Sequence, residues 1–576
     1  MICTIATERR RLDCSFPPVL SQAALAVALL LALGPLQAQT LPPLPSGAEP
    51  GREAPRPVLP RPVPAGPAVA APGGSAAQAP AGADKLNFTL AEMAIEGVTA
   101  YPAESLRPLY AELIGKTITV ADAFKVADAI ERRYRGDGFV TSRVIVPEQA
   151  IEGGRFRIVV VEGFIADVVF DGDIGPARAA VEKLIAPLRG VKPINVVAVE
   201  RQLLLANDLP GLTVRASLEP SPTQTGGSVI VVRSERKPMD LAVSVGNRGT
   251  RYLDSREMSA SVAYNAVGER ADRISVATKA ALPADRSTFI AGTYDALLTS
   301  GGSTLGLMSS YSTSHPGLEL EALDVRSRVA ATQATVTYPW IRSREQNLRA
   351  LGQLEVRDVD TDIGGEAFTR DRLRIARVGL SYDRTDSWGG ITAARATLHQ
   401  GLHGLGASAN GAEHLSRAEG RSDFFKVTSE LTRLQQLTER TNLMATLSGQ
   451  WSPHALLASE EMALGGASFG RAYDEGEISA AQGVAASVEW RWSPPMAQVL
   501  PRGGQFYAYM DGGQLHAAEG AASLPHRTVS SFGGGLRANL NSATFATLEL
   551  ALPTSHAVRT TGDKHARAFF SISAQF

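Results

Sequence analysis

The sequence predicts a sixteen-stranded antiparallel transmembrane β-barrel behind two small α+β units. Three observations lead there. After Lys237 there is no long amphipathic helix, only alternating segments of about ten residues, apolar on one face and polar on the other, as in strands between lipid and water. The connections between these segments alternate in length. Ahead of them, one order of strands and helices occurs twice, in tandem units of about 75 residues.

The N-terminus reads as a signal peptide, residues 1–38. Arg9, Arg10 and Arg11 form a positive n-region, Ala23 to Leu33 an apolar core, and Leu36-Gln37-Ala38 a small-residue cleavage site. The apolar core is shorter than the ~20 residues of a membrane helix. Cys3 and Cys14 both fall inside this segment, so the mature chain is expected to use no disulfide, thiolate metal site or cysteine nucleophile. Residues 39–84 are dominated by Pro, Ala and Gly, as in PPLPSGAEPGREAPRPVLPRPVPAGP, and read as a semi-extended, disordered linker.

The first α+β unit is placed at 85–163. It reads as a strand from Phe88 to Glu96, a helix from Ala103 to Ile114 and a second helix from Ala121 to Arg135. Thr119 is the candidate cap of that second helix, with Val120, Phe124, Ala127, Ile130 and Tyr134 along one face. Gly136-Asp137-Gly138 stops it, and strands follow at Ser142 to Val146 and Arg155 to Glu162. The second unit, 164–237, repeats the order. It has a strand at Ala166 to Phe170, helices at Pro176 to Leu188 and Val196 to Ala206, and strands at Leu212 to Leu218 and Ser228 to Arg233.

The barrel is placed at 238–576. Its strands begin near Met239, Glu257, Asp272, Thr288, Ser303, Arg328, Asn347, Arg372, Gly390, Asp423, Asn442, Gly483, Gly504, Val529, Ala543 and Ala568. In the seventh, Leu348, Ala350, Gly352, Leu354 and Val356 alternate with Arg349, Gln353, Glu355 and Arg357. Even-numbered strands end in turns such as SGG and SWGG. Long polar stretches follow odd ones, at Asp358 to Asp371, Leu402 to Ser422, Ser452 to Gln482 and Gln514 to Thr528. Short inner turns and long outer loops imply that the first strand runs outward. The chain ends with Phe570, Ile572, Ala574 and Phe576 on one face, similar to the assembly signal of bacterial outer-membrane barrels.

Other chemistries find little support. A net charge of −1 gives no basic field for nucleic acid. GGSTLG (Gly301 to Gly306) and GGGLRANL (Gly533 to Leu540) open no helix, and no G-x-x-x-x-G-K-[ST] occurs. Asp358-Val359-Asp360-Thr361-Asp362 lacks the glycine and distal glutamate of an EF-hand and reads as a solvated outer loop. The nine histidines form no H-E-x-x-H. The loop acids Glu460, Glu475 and Glu477 read as solvated. No catalytic, cofactor or metal residue is assigned.

The stretch LGGASFGRAYDEGEIS, Leu464 to Ser479, lies in the connection between strands eleven and twelve, the sixth outer loop. Strand parity puts Tyr507, Tyr509 and Asp511 in the lumen and Phe506, Ala508 and Met510 toward lipid. Arg471 offers a planar fork that an inward carboxylate such as Asp511 can engage through two parallel bonds. Gly470 and Ala472 would allow close approach to the wall, where Phe469 and Tyr473 pack.

Signal peptide, Pro-rich leader, two tandem α+β units and barrel together resemble the outer-membrane transporters of two-partner secretion (TpsB type; haemolysin secretion/activation proteins), whose periplasmic units are POTRA domains. In that superfamily the sixth outer loop folds back into the barrel and carries V-R-G-Y/F. Phe469-Gly470-Arg471-Ala472-Tyr473-Asp474 is similar to it. Tyr509-Met510-Asp511-Gly512-Gly513 matches the family's F-x-D-x-G, carried by Tyr509, Asp511 and Gly513. Ala472 stands where the family has glycine, so a positive φ there would be strained. Ala480-Ala481 replaces a common Gly-Asp. Many members carry a pore-plugging helix in the leader, and the prolines between Leu41 and Asp84 argue against one.

The resemblance implies a translocase in the Gram-negative outer membrane, with its POTRA domains in the periplasm. It would bind an unfolded partner exoprotein (TpsA type) and secrete it through the pore, with activation of that protein as a further expectation. The POTRA edges within 85–237 would capture the substrate by strand addition. Outer-membrane lipid and, during biogenesis, the barrel assembly machinery would be its other partners. The protein is expected to be a monomer without cofactor, enzymatic activity or nucleic-acid partner. The alternatives are a factor that inserts other barrels into the membrane and a passive porin.

Overall fold

The computed structural model describes residues 44–49, 78–495, 503–517 and 526–576. The first N-terminal unit contains β1 (Asn87–Thr89), β2 (Glu92–Glu96), β3 (Thr117–Thr119), α1 (Val120–Gly136), β4 (Arg143–Ile145) and β5 (Arg155–Val161). α1 starts at a capping box in which Thr119 and Asp122 each accept from the other's backbone N–H. It buries Ala127, Ile130 and Tyr134 against a sheet ordered β2-β5-β4. Two expectations need correction. The strand expected from Phe88 to Glu96 is two strands, because the chain changes partner near Leu90, pairing first with β3 and then with β5. The helix expected from Ala103 to Ile114 is three 3-10 turns, since Pro108 has no N–H to donate to a continuous ladder.

The second unit contains β6 (Phe164–Asp171), α2 (Arg178–Ile185), α3 (Val196–Asn207), β7 (Leu212–Pro220) and β8 (Gly227–Arg236). In each unit the first strand of the three-stranded sheet pairs parallel with the last strand, which sits in the middle, and the remaining strand is antiparallel. The repeat seen in the sequence is thus a repeat of topology. The helix expected from Pro176 to Leu188 is α2 with a 3-10 turn at each end, the second containing Pro187.

Sixteen strands then close a barrel. They are β9 (Met239–Gly246), β10 (Glu257–Asn265), β11 (Arg273–Ala281), β12 (Ser287–Leu297), β13 (Thr304–Ser314), β14 (Val325–Arg342), β15 (Gln346–Ile363), β16 (Glu366–Thr385), β17 (Gly390–Gly401), β18 (Phe425–Thr438), β19 (Thr441–Trp451), β22 (Gln482–Trp492), β23 (Gly504–His516), β24 (Thr528–Asn539), β25 (Thr544–Pro553) and β26 (Arg567–Gln575). Between β19 and β22 the sixth outer loop carries the short hairpin β20 (Met462–Leu464) and β21 (Ile478–Ala480). All neighbours are antiparallel, and closure runs from Ser571↔Gly246 to Gln575↔Ala242. The outward face leaves large apolar side chains such as Leu354, Val378 and Leu550 uncovered, as a lipid-facing wall does.

One connection read from the sequence is different. The stretch Asp358 to Asp371 is strand almost throughout, since β15 runs to Ile363, β16 starts at Glu366, and only Gly364-Gly365 turns. Asp358, Asp360 and Asp362 are not a solvated loop. Arg374, Arg372 and Arg328 each meet one of them at 2.8 Å, so cross-strand ion pairs extend the hairpin.

The second unit is fixed to the inner turns of the barrel. Arg342, at the end of β14, donates to both Asp208 oxygens at 2.7 and 2.8 Å. Arg201 reaches the Pro339 carbonyl at 2.9 Å, and Lys183 the Leu298 carbonyl at 2.6 Å. Ala266, Ala271 and Leu297 of the barrel join the core of this unit.

Candidate functional site

The sixth loop folds back inside the barrel. Its tip is packed, with Phe469, Ala472 and Tyr473 buried in one cluster with Tyr507, Tyr509 and Phe569 of the wall. Gly470 has φ +74, and a Cβ there would lie 3.0 Å from Val529. The left-handed residue of this tip is therefore Gly470 and not Ala472, which removes the strain anticipated at Ala472. Ala472 is fully buried, so its place demands a small side chain.

Arg471 and Asp511 do meet, at 3.1 Å from Nε to Oδ2, but not as a two-bonded fork. The guanidinium is divided. Nη1 donates to Glu489 at 2.6 Å, Nη2 donates to the Ser487 hydroxyl at 3.2 Å, and its plane lies 4.0 Å from the centre of the Tyr509 ring. Asp511 holds the loop mainly by its backbone: Oδ1 accepts the N–H groups of Gly470 at 2.9 Å and Arg471 at 3.3 Å, and the Ser531 hydroxyl. A single carboxylate thereby satisfies the backbone of the loop's tight corner and faces its cation.

Glu489 is the centre of the site. Fully buried, it accepts from Arg471, from Arg491 at 2.7 Å and from Arg537 at 2.8 Å. Tyr507 and Tyr509 give their hydroxyls to Glu549, at 2.6 and 2.7 Å, and Arg248 also pairs with it. The Gly533-Gly534-Gly535 run on β24 makes room for these two rings: a Cβ at Gly533 would lie 2.5 Å from the Tyr509 oxygen, and one at Gly535 2.7 Å from that of Tyr507. Gly513 faces the loop hairpin, where an added Cβ would be 2.7 Å from Leu464. Beyond the tip, Tyr473 bonds Ser555 at 2.8 Å, and Arg567 bonds Asp474 and the Ala472 carbonyl.

The base of the loop has its own anchor, which the sequence reading missed. Glu460 and Glu477 are buried, not solvated. Glu460 lies 2.7 Å from Lys426, 3.1 Å from Arg357 and 3.5 Å from Arg377. Lys426 and Gln450 also hold the Glu460 carbonyl. The available signal was strand phase, which puts Glu355 and Arg357 in the lumen. Glu489 was legible in the same way, alternating with Val488 and Trp490 on the twelfth strand.

Part of the leader is also placed. Ser46–Ala48 forms one 3-10 turn among the outer loops. The Ser46 hydroxyl donates to the Gly476 carbonyl, and Glu49 receives two bonds from Arg417, which also holds Glu461. The reading of 39–84 as a semi-extended, disordered linker is thus corrected for this stretch. For 39–43 and 50–77 that reading lies outside the described residues, as does the signal peptide.

The model of the haemolysin secretion/activation protein ShlB/FhaC/HecB family matches residues 226–538, more than half of the chain. The chain belongs to this family. The ShlB-type POTRA domain model matches residues 88–163. The outer membrane transporter CdiB of Dickeya dadantii is 24% identical over 448 residues, covering 74% of this chain and 76% of its own. The heme/hemopexin transporter protein HuxB of Haemophilus influenzae is 21% identical over 441 residues, covering 75% and 77%. Among solved structures, CdiB from Escherichia coli matches with a TM-score of 0.72 at 20% identity, covering 87% of this chain and 92% of that one. The protein is thus an outer-membrane transporter of the TpsB type, with its POTRA domains in the periplasm, in a family of transporters that work with secreted partner proteins.

Proposed function

We propose that this transporter binds one large exoprotein in the periplasm in unfolded form and secretes it through the barrel. The observation that carries the reading is the sixth loop, held inside the lumen by Arg471, Asp511 and Glu489. A passive porin has no need of POTRA units docked against its inner turns. β2 and β6 are outer strands of their sheets, and main-chain bonds to such an edge would capture an extended segment without demanding one sequence. No nucleotide site is assigned, so folding of the exoprotein outside the cell would give direction.

The test removes residues 86–236 and follows the exoprotein in cells that carry it. Export should stop, with the substrate retained in the periplasm, while a heat-modifiable gel band shows that the barrel is folded. Unchanged export from such cells would sink the reading.

A further inference from the structure

The lumen wall is divided into two unlike sectors. On β9 to β12, lipid-facing residues such as Val243, Met258, Ile274 and Ile290 fix the phase, so the residues between them face inward. At the outer end of this sector Lys279 pairs with Glu257 at 2.7 Å, and at the inner end Arg273 lies 3.8 Å from Asp240. The described inward positions of these strands between those pairs carry no ionisable side chain. They are small and mostly hydroxyl-bearing: Ser244, Ser259, Ser261 and Ser275, continued by Ser310 on β13 and Ser573 on β26. From β15 onward the inward face is charged instead, with Arg349, Glu355, Arg357, Arg377, Arg395 and Lys426, and the base and tip of the sixth loop rest on it.

We propose that the hydroxyl-lined strip on β9–β13 and β26 is the track along which an extended, unfolded polypeptide crosses the barrel. The inference rests on the translocation reading above and assigns its path. A cavity of about 620 Å³ lies between this strip and Ala467 of the loop tip, with Ser259, Ser261 and Ser573 in its lining. The strip begins where a substrate leaves the POTRA units: Ala266, Ala271, Leu297 and Leu298, which contact the second unit, lie in the inner turns β10–β11 and β12–β13. At its outer end the first outer loop already accommodates main chain, since Gly47 packs against Thr250 and Tyr252.

The chemistry suits a moving chain. Hydroxyls donate and accept, so they can exchange with water around passing amide groups at little net gain or loss. Conduction requires contacts weak enough to leave. A buried guanidinium or carboxylate would hold an opposite charge in the substrate, and a bulky side chain would narrow the passage. No charged side chain stands on the strip between its two terminal ion pairs, and the bulky side chains facing inward there are Met308 on β13 and Phe289 on β12, the latter opposite Lys279.

The test uses the full-length chain with Cys3 and Cys14 replaced by serine, reconstituted in planar bilayers. Single cysteines are introduced by Ser261→Cys and Ser310→Cys on the strip and by Ser381→Cys on the charged wall. Ser381 sits in register between Arg349 and Arg395 and is partly exposed like the other two. The probe is a 30-residue Gly/Ser/Asn-rich unfolded peptide with one activated cysteine, added from the POTRA side. A small neutral methanethiosulfonate reagent normalises the reactivity of each position. Peptide adducts should form at least tenfold faster at Ser261→Cys and Ser310→Cys than at Ser381→Cys. Equal rates, or faster reaction at Ser381→Cys, would overturn the assigned path and leave translocation standing. Reaction with the small reagent at all three positions but with the peptide at none would overturn the translocation reading, and the path with it.

Discussion

The tip and the base of the sixth loop are anchored to the wall by opposite arrangements of charge. At the tip one loop cation, Arg471, enters a wall pocket of carboxylates, Glu489 and Asp511. At the base one loop anion, Glu460, enters a pocket of wall cations, Arg357, Arg377 and Lys426. A loop slipped along the wall would bring like charges together at both ends. Two anchors of opposite sign therefore fix position as well as strength. On the proposed path, such fixing would keep the loop clear of a moving polypeptide.

The largest effect should come from reversing one anchor. Arg471→Glu would place a third carboxylate against Glu489 and Asp511, strand Arg537 in a changed field, and lose a buried pair whose rupture alone costs ~3–5 kcal/mol. Even the lower figure shifts the ratio of held to released loop roughly a hundredfold. Export should be abolished and the loop should become protease-sensitive while the barrel remains heat-modifiable. Normal export from Arg471→Glu would show that the tip pairing is not functional.

Truncation separates the two anchors. Arg471→Ala and Glu460→Ala should each destabilise the loop by ~3–5 kcal/mol, since each leaves buried charges unpaired. Among the described residues the two clusters share no ion-pair partner, so the double variant should lose the sum to within ~0.5 kcal/mol. Urea-dependent release of the loop, followed by proteolysis, measures the cycle. A coupling well above that value would mean that tip and base act as one unit.

The tip was legible because its signal is local: an arginine between small residues and aromatics, and an inward aspartate found by counting alternation from Phe506 to Asp511. Strand number was legible for the same reason, since a period of two survives without tertiary information. The base was not, because Glu460 sits in an unpatterned loop and its partners come from three separate strands. The splitting of the Arg471 fork was also out of reach. It depends on β22 and β23 pairing Ser487 with Asp511 and Glu489 with Tyr509, which brings two carboxylates to one guanidinium. The loop predicted at Asp358 to Asp371 failed for a related reason: acidic residues look like loop until the facing arginines of the next strand are known.

Asp511→Asn sharpens what the tip carboxylate does. An amide oxygen can still accept the Gly470 and Arg471 N–H groups, so the corner would be kept while the charge facing Arg471 is lost. Glu489 still pairs with Arg471 at 2.6 Å, and the expected loss is ~1–2 kcal/mol, well below that of Arg471→Ala. Export should be reduced but measurable. A defect as deep as that of Arg471→Glu would mean that Asp511, and not Glu489, is the principal counter-charge.

The smallest effect comes from a buried carboxylate satisfied with no cation in its bonds. Glu162, at the junction of the two POTRA units, accepts from the backbone N–H of Thr99 at 2.7 Å and Ala100 at 2.8 Å, from the Tyr134 hydroxyl at 2.9 Å, and from the Thr99 hydroxyl. Burial pushes its carboxyl up, but these four donors outweigh burial and hold it below the ordinary carboxylate range. A folded-state pKa below the unfolded value of ~4.3 gives stability that is full above that value and lost as pH falls through the folded one. Glu162→Gln keeps the shape, removes the charge, and must turn an amide N–H₂ toward one of the donors. It should cost ~1–2 kcal/mol at neutral pH, and the gap to the unaltered protein should close in acid. Urea unfolding followed by the fluorescence of tyrosines, of which Tyr134 and Tyr101 meet edge to face at 4.9 Å, reads it across pH. A gap independent of pH would mean that the charge of Glu162 contributes nothing and only its shape matters. The loop anchors, where every carboxylate faces a guanidinium or an ammonium, would then be the places in this chain where buried charge itself holds structure.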